Sequence, residues 1–218
     1  MTSAKIPATG QEFPIGKIVC LARNYAEHAR ELGNETPAAP VLFMKPATSV
    51  IGDGDTVRIP AYSQECHYEV ELALLIGTTA RNIPEAESMA CLAGYGVAID
   101  MTLRDVQNAL KAKGLPWEIA KGFDTACPLS DFVPASAIAD PHNLSLKLAV
   151  NGEKRQDGCS SDMVNRIPRI IAHISSIFTL EPGDVILTGT PAGVGQVVAG
   201  DVMDADIEGV GHLTIHIQ

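Results

Sequence analysis

Residues 66–76, CHYEVELALLI, place two carboxylates inside an otherwise apolar run. Alternate residues of a β-strand share a face, so Glu69 and Glu71 point one way with His67, while Val70 and Leu72 point the other. Two like charges that close, half buried, raise each other's pKa and cost stability unless a cation or hydrogen-bond donors lie between them. Asp100 ends a second apolar stretch, GYGVAID, where a strand terminus can hold a side chain over the mouth of a sheet. Three acidic oxygen ligands suit a hard divalent cation, Mg2+ or Mn2+, whereas zinc would recruit His or Cys. Spacing alone leaves a second reading level with this one, in which Glu69 and Glu71 lie on a solvated face and Asp100 caps the next helix.

Further groups surround these three in the sequence. His28 and Glu31 are three apart in NYAEHARE and share a face if that segment is helical. A carboxylate beside an imidazole fixes its tautomer and raises its basicity, which suits drawing a proton from water, although HxxE on a polar helix is commonly solvated surface. The segment GDVILTGTPAGVG follows a strand pattern without the helix a nucleotide-binding loop needs. Its glycines allow close backbone approach, so the Thr190 hydroxyl and nearby N–H groups could grip a carboxylate. Lys121, Arg104 and Gln107 read by themselves as ordinary solvated positions.

Short elements must position these groups. KIVCLA reads as a strand leading to a short helix capped by Asn24 and ending before Gly33. VLFMKP and TVRIP are extended, divided by the turn GDGD, and a helix starts near Pro84 before the strand GYGVAID. LRDVQNALKAKG and IPRIIAHISSIF have helical apolar spacing, and Asn151-Gly152 marks a hairpin. Strands close the chain at GDVILTGT, DVMDADIEG and HLTIHI. Strands outnumber helices, which predicts an α+β, mainly β architecture with a rolled mixed sheet and short peripheral helices.

Composition bounds the function classes. The 218 residues, 46% hydrophobic and 19% charged, describe an ordinary globular chain. A formal charge of −10 with no basic stripe speaks against nucleic acid as a partner, and no apolar run is long enough for a membrane span. The N-terminus lacks an apolar leader-like stretch, and the five scattered cysteines form no CxxC pair, which points to a cytoplasmic protein with reduced thiols.

ARNYAEHARELG, HYEVELALLIG, YGVAIDMTLRDVQ, LPWEIAKGFDTACPLS and LEPGDVILTGTPAGVG, in this order, resemble the fumarylacetoacetate hydrolase family, particularly its small acylpyruvase and oxaloacetate decarboxylase branch. The resemblance implies a mixed β-roll and a homodimer. It divides the chain into an N-terminal extension or edge segment, 1–16, and a single catalytic domain, 17–218. By resemblance Glu69, Glu71 and Asp100 hold Mg2+ or Mn2+. His28 and Glu31 then form a water-activating dyad on a lid, and Lys121 stabilises developing enolate charge. Arg23, Arg104, Gln107 and Thr190 match substrate-binding positions.

The implied reaction is C–C bond cleavage of short 2-oxo acids, by acylpyruvate or fumarylpyruvate hydrolysis, through a metal-bound pyruvate enolate. Oxaloacetate decarboxylation and keto–enol tautomerisation share that enolate and stand as alternatives. A non-catalytic dicarboxylate-binding protein is a more remote one, opposed by the joint presence of His28, Glu31, Lys121 and the three ligands.

Overall fold

The computed structural model describes residues 2–31, 33, 37 and 39–218. A six-stranded mixed sheet forms the body, in the order Val133–Pro134, Leu92–Ile99, Val70–Ile76, Val185–Leu187, Ile18–Ala22, Val41–Lys45. Its neighbours pair antiparallel except Val185–Leu187 with Ile18–Ala22, which run parallel. A five-stranded sheet is built around the hairpin Ser145–Val150 and Glu153–Cys159, whose turn residues Asn151 and Gly152 both have positive φ. That left-handed pair matches the twist of the strands it joins.

Apart from Glu71, the strand Val70–Ile76 is apolar on both faces because both are covered. Leu72, Leu74 and Ile76 enter the larger core with Val97, Ile99, Leu148 and Ile215, while Ala73 and Leu75 enter a smaller one with Ile18, Leu187 and Phe132. The N-terminal hairpin, Ser3–Ile6 with Gln11–Pro14, adds Ala4 and Ile6 to that smaller core.

Among the described residues five α-helices lie around the sheets: α1 Ala26–Glu31, α2 Glu85–Ser88, α3 Arg104–Ala112, α4 Glu118–Lys121 and α5 Ile167–Ile177. In α5, Ile167, Ile170, Ile171 and Ile174 recur at helical spacing and are fully buried. Among the described residues no helix is long and apolar enough to cross a membrane.

Two local expectations need correction. Residues 66–76 are not one strand: Cys66–Tyr68 belongs to a three-stranded sheet with Thr102–Leu103 and Gly195–Val197, and pairing resumes in the large sheet only at Val70. Alternation of residue type continues across the break, so the pattern hides it. Nor does Asn24 cap α1. Its buried side chain accepts from Asn165 N at 2.8 Å and donates to Thr188 O at 2.8 Å, joining two distant loops instead.

Candidate active site

The strand break places the carboxylates. Val70 pairs with Ile99, so Glu69 at the break and Asp100 just past the neighbouring strand sit side by side, with Asp100 N donating to Glu69 O at 2.8 Å. Glu71 enters from the next turn of the pleat. All three are buried, and one oxygen from each lies within 4.8 Å of the others.

Cations are distributed unevenly around them. Lys121, at the end of α4, is 3% exposed; its ammonium donates to Glu69 at 3.0 Å, Asp100 at 2.5 Å and the Thr102 hydroxyl at 2.6 Å. Arg104 opens α3 and donates to Glu69 at 2.5 Å, to Gln107 Oε1 at 2.7 Å, and to His67 Nδ1 at 3.4 Å. Among the described residues Glu71 receives only the Gly189 N–H, at 2.6 Å. Burial and then the Asp100 and Glu69 charges push the Glu71 carboxyl well above the usual range. Burial also pushes Glu69 up, but Lys121 and Arg104 outweigh it and hold that carboxyl well below. For Lys121, burial is overcome by Asp100 and Glu69, which raise its pKa.

This donor set fits a hard cation. Every candidate ligand atom is a carboxylate oxygen, and among the described residues Glu71 has no counter-charge of its own and buried Asp100 Oδ1 makes no hydrogen bond although the Lys45 ammonium is 2.8 Å away. Unfilled oxygen lone pairs at one point are what Mg2+ or Mn2+ would satisfy.

The remaining predicted residues converge on the same cavity, which is lined by Arg23, His28, Arg104, Gln107, Lys121 and Thr190 besides Glu69 and Glu71. On α1, His28 is buried, and its Nδ1 donates to Glu31 Oε2 at 3.3 Å. Glu31 in turn accepts the Gly193 N–H at 3.1 Å, which ties α1 to the loop that follows Thr190. Arg23 lines the mouth with its backbone at φ 59°, a conformation strained for a residue with a side chain.

Two buried polar residues escape sequence reasoning. Lys45 ends an apolar strand and donates to Met101 O at 3.1 Å, Ala126 O at 2.9 Å and the Lys121 carbonyl, besides meeting Asp100. A lysine at the end of VLFMKP was its only signal. Gln156 gives Thr190 Oγ1 a hydrogen bond at 2.8 Å and accepts Val70 N at 2.9 Å, so it both orients the threonine and stabilises the strand break. It lies in a charged hairpin segment that reads as solvated surface. Cys66 is packed in the core, and His142 accepts the Ile167 N–H at 3.2 Å.

A rolled mixed sheet with a carboxylate trio at one end of two antiparallel strands defines the class. The chain belongs to the fumarylacetoacetate hydrolase family, a family of enzymes: the sequence model described as Fumarylacetoacetate (FAA) hydrolase C-terminal matches residues 17–218. Among its relatives, oxaloacetate tautomerase FAHD1, mitochondrial, from Bos taurus is 52% identical over 193 residues, 88% of this chain and 87% of that protein. Oxaloacetate tautomerase YcgM from Escherichia coli (strain K12) is 48% identical over 199 residues, 91% of each chain. The crystal structure of fumarylpyruvate hydrolase from Pseudomonas aeruginosa in complex with Mn2+ and pyruvate matches with a TM-score of 0.94 at 36% identity, covering 99% of this chain and 95% of that one.

Proposed function

We propose that this protein uses Mg2+ or Mn2+ to interconvert the keto and enol forms of short 2-oxo acids, oxaloacetate foremost. The observation that carries the reading is the Lys121 ammonium, buried at 3.0 Å from Glu69 and 2.5 Å from Asp100, beside a carboxylate trio that fits a hard cation. Relatives of about half identity named as oxaloacetate tautomerases support it.

A divalent cation held by Glu69, Glu71 and Asp100 would supply Lewis acidity toward the oxygens of a 2-oxo acid. The protein's own groups do the rest. Thr190, oriented by Gln156, binds the 1-carboxylate, with Arg104 and Gln107 fixing the acid in the cavity. Negative charge gathers on the 2-oxygen as C3 loses a proton, and the preorganised Lys121 ammonium stabilises it. His28 moves that proton: a carboxylate only accepts, so Glu31 fixes the N–H on Nδ1 and leaves Nε2 as the base.

The same His28–Glu31 pair, at 3.3 Å, favours a second reading. With an acylpyruvate or fumarylpyruvate, His28 takes a proton from water as that water attacks the distal carbonyl. The C3–C4 bond then breaks and its electron pair passes into the pyruvate enolate beside Lys121. The sequence alone ranks this hydrolysis first; the tautomerase relatives favour the other order. Oxaloacetate decarboxylation leaves the same enolate and needs no attacking water. The homodimer implied by resemblance belongs to the same proposal, with sedimentation as its check.

Metal-stripped protein reloaded with Mg2+ or Mn2+ should be given enol-oxaloacetate, acetylpyruvate and fumarylpyruvate, with products identified by NMR. Ketonisation of oxaloacetate is expected to be the fastest reaction. Faster hydrolysis of either acylpyruvate would put the second reading first, and acceleration of none of them would end both.

A further inference from the structure

Helix α3 carries Arg104, Gln107 and Lys111 at positions i, i+3 and i+7, and all three line the cavity. That spacing defines one helix face. Arg104 sits at its deep end on Glu69, and Lys111 follows two turns later, about 10 Å along the axis. Among the described residues the Lys111 ammonium makes no hydrogen bond or ion pair; its neighbour is the Trp117 ring, 5.2 Å to the centroid.

Trp117 belongs to an aromatic wall. Its ring and that of Phe43 lie 5.9 Å apart at 53°, and the Lys121 ammonium stands 4.8 Å from the Phe43 centroid. One lysine therefore faces each ring, Lys121 at the carboxylates and Lys111 at the mouth. Such contacts hold an ammonium in place over an apolar surface while leaving its N–H groups free. Burial, followed by the Arg104, Arg23 and Lys121 charges, pushes Lys111 down to about 8. A second cationic pole thus borders the cavity, and the Glu69, Glu71 and Asp100 carboxylates are at its other end.

Taking the site as one for 2-oxo acids, we propose that Lys111, with Arg23 beside it, binds a second, distal carboxylate and selects 2-oxo dicarboxylic acids over those with a neutral far end. The chain of such an acid would lie along Phe43 and Trp117, its reacting carbonyl at Lys121 and its far carboxylate at Lys111.

The test is calorimetry on the metal-loaded full chain with 2-oxoglutarate and 2-oxopentanoate, which have equal length and differ in the distal carboxylate. Wild-type protein should prefer 2-oxoglutarate. Lys111→Met should lower the affinity ratio about 10- to 100-fold, the value of one charge-assisted hydrogen bond, and Lys111→Arg should restore most of it. A ratio unchanged in Lys111→Met, or no preference in wild type, overturns the proposal. Binding is read without turnover, so a lost preference with no ketonisation would refute the catalytic reading alone, and normal ketonisation with an unchanged ratio would refute this inference alone.

Discussion

Lys45 and Lys121 hold the same carboxylate from opposite oxygens: the Lys45 ammonium is 2.8 Å from Asp100 Oδ1 and the Lys121 ammonium 2.5 Å from Oδ2. Lys45 also donates to the backbone carbonyl of Lys121, so one strand end fixes both the acid and its partner. Replacing Lys45 by Met would leave Asp100 half-compensated and three buried carbonyls without their donor. Breaking a buried pair in this way costs about 3–5 kcal/mol. Urea unfolding of Lys45→Met should show a loss of that order; a loss under about 1 kcal/mol would mean that other donors replace it.

Glu71 is the ligand with least compensation. Glu71→Gln changes a ligand itself and should weaken Mg2+ or Mn2+ binding by more than the roughly 10- to 100-fold that losing a partner behind a ligand costs, while keeping the fold, measured by elemental analysis after dialysis. The pH dependence has a definite sign. A carboxyl raised in the folded state keeps its proton where the unfolded chain has lost it, so its contribution to stability declines as pH rises above 4.5 through the folded value. Metal-free Glu71→Gln should therefore gain stability relative to wild type as pH rises across that window. A difference that shrinks with pH would place the charge strain elsewhere.

His28 divides the chemistries. Proton transfer by a positioned base contributes about 10²–10⁴-fold, and both tautomerisation and hydrolysis need one. Decarboxylation needs only orientation and charge stabilisation, which rest with Lys121 and the cation that the carboxylate trio would hold. His28→Ala should depress ketonisation of oxaloacetate and hydrolysis of acetylpyruvate far more than CO2 release, whereas Lys121→Met should impair all three. Equal depression of all three by His28→Ala, with 2-oxoglutarate affinity intact, would assign His28 to a common step.

Lys111 gives the distal-carboxylate selection a pH limit. Burial chiefly, then Arg104, Arg23 and Lys121 with Glu69 opposing, pushes its ammonium down from 10.5 to about 8. Below pH 8 the charged form is available for a carboxylate; above it the neutral amine offers no ion pair. The ratio of kcat/KM for fumarylpyruvate to that for acetylpyruvate should fall as pH rises through 8. In Lys111→Arg it should stay level to pH 9, since guanidinium does not titrate there. A parallel decline in both proteins would trace the loss to another group.

The carboxylate trio was visible in the sequence because acids inside apolar strands contradict their surroundings: the Val, Leu and Ile beside Glu69, Glu71 and Asp100 mark them, but that pattern left a solvated face as an equal reading, and the family resemblance was needed to choose between the two. The hairpin at Asn151-Gly152 and helix α5 were equally readable, since turn chemistry and helical spacing are local. What escaped depends on distant contacts. Gln156 reaches across 86 residues to Val70 from a segment rich in charge. Lys121 was reached only through the family resemblance, since by itself it reads as surface until α4 folds against Asp100. Asn24 has the side chain of a helix cap, yet Asn165 and Thr188 compete for it and win.

The most direct test of the central claim, that Lys121 and a divalent cation held by the carboxylate trio would stabilise a 2-oxo acid's enolate, is hydrogen–deuterium exchange at the methyl group of pyruvate in D2O, followed by NMR. Exchange breaks only a C–H bond, whose proton leaves to give the enolate and is replaced by a deuteron from D2O, and needs no C–C cleavage, so it isolates the shared step. With Mg2+ or Mn2+ bound, wild-type protein should accelerate it well above the buffer rate. Chelator should abolish the acceleration, and Lys121→Met should reduce it by about 100-fold or more, the loss that follows removal of one preorganised charge-stabilising donor. Undiminished exchange in Lys121→Met, or in wild-type protein stripped of metal, would contradict the claim.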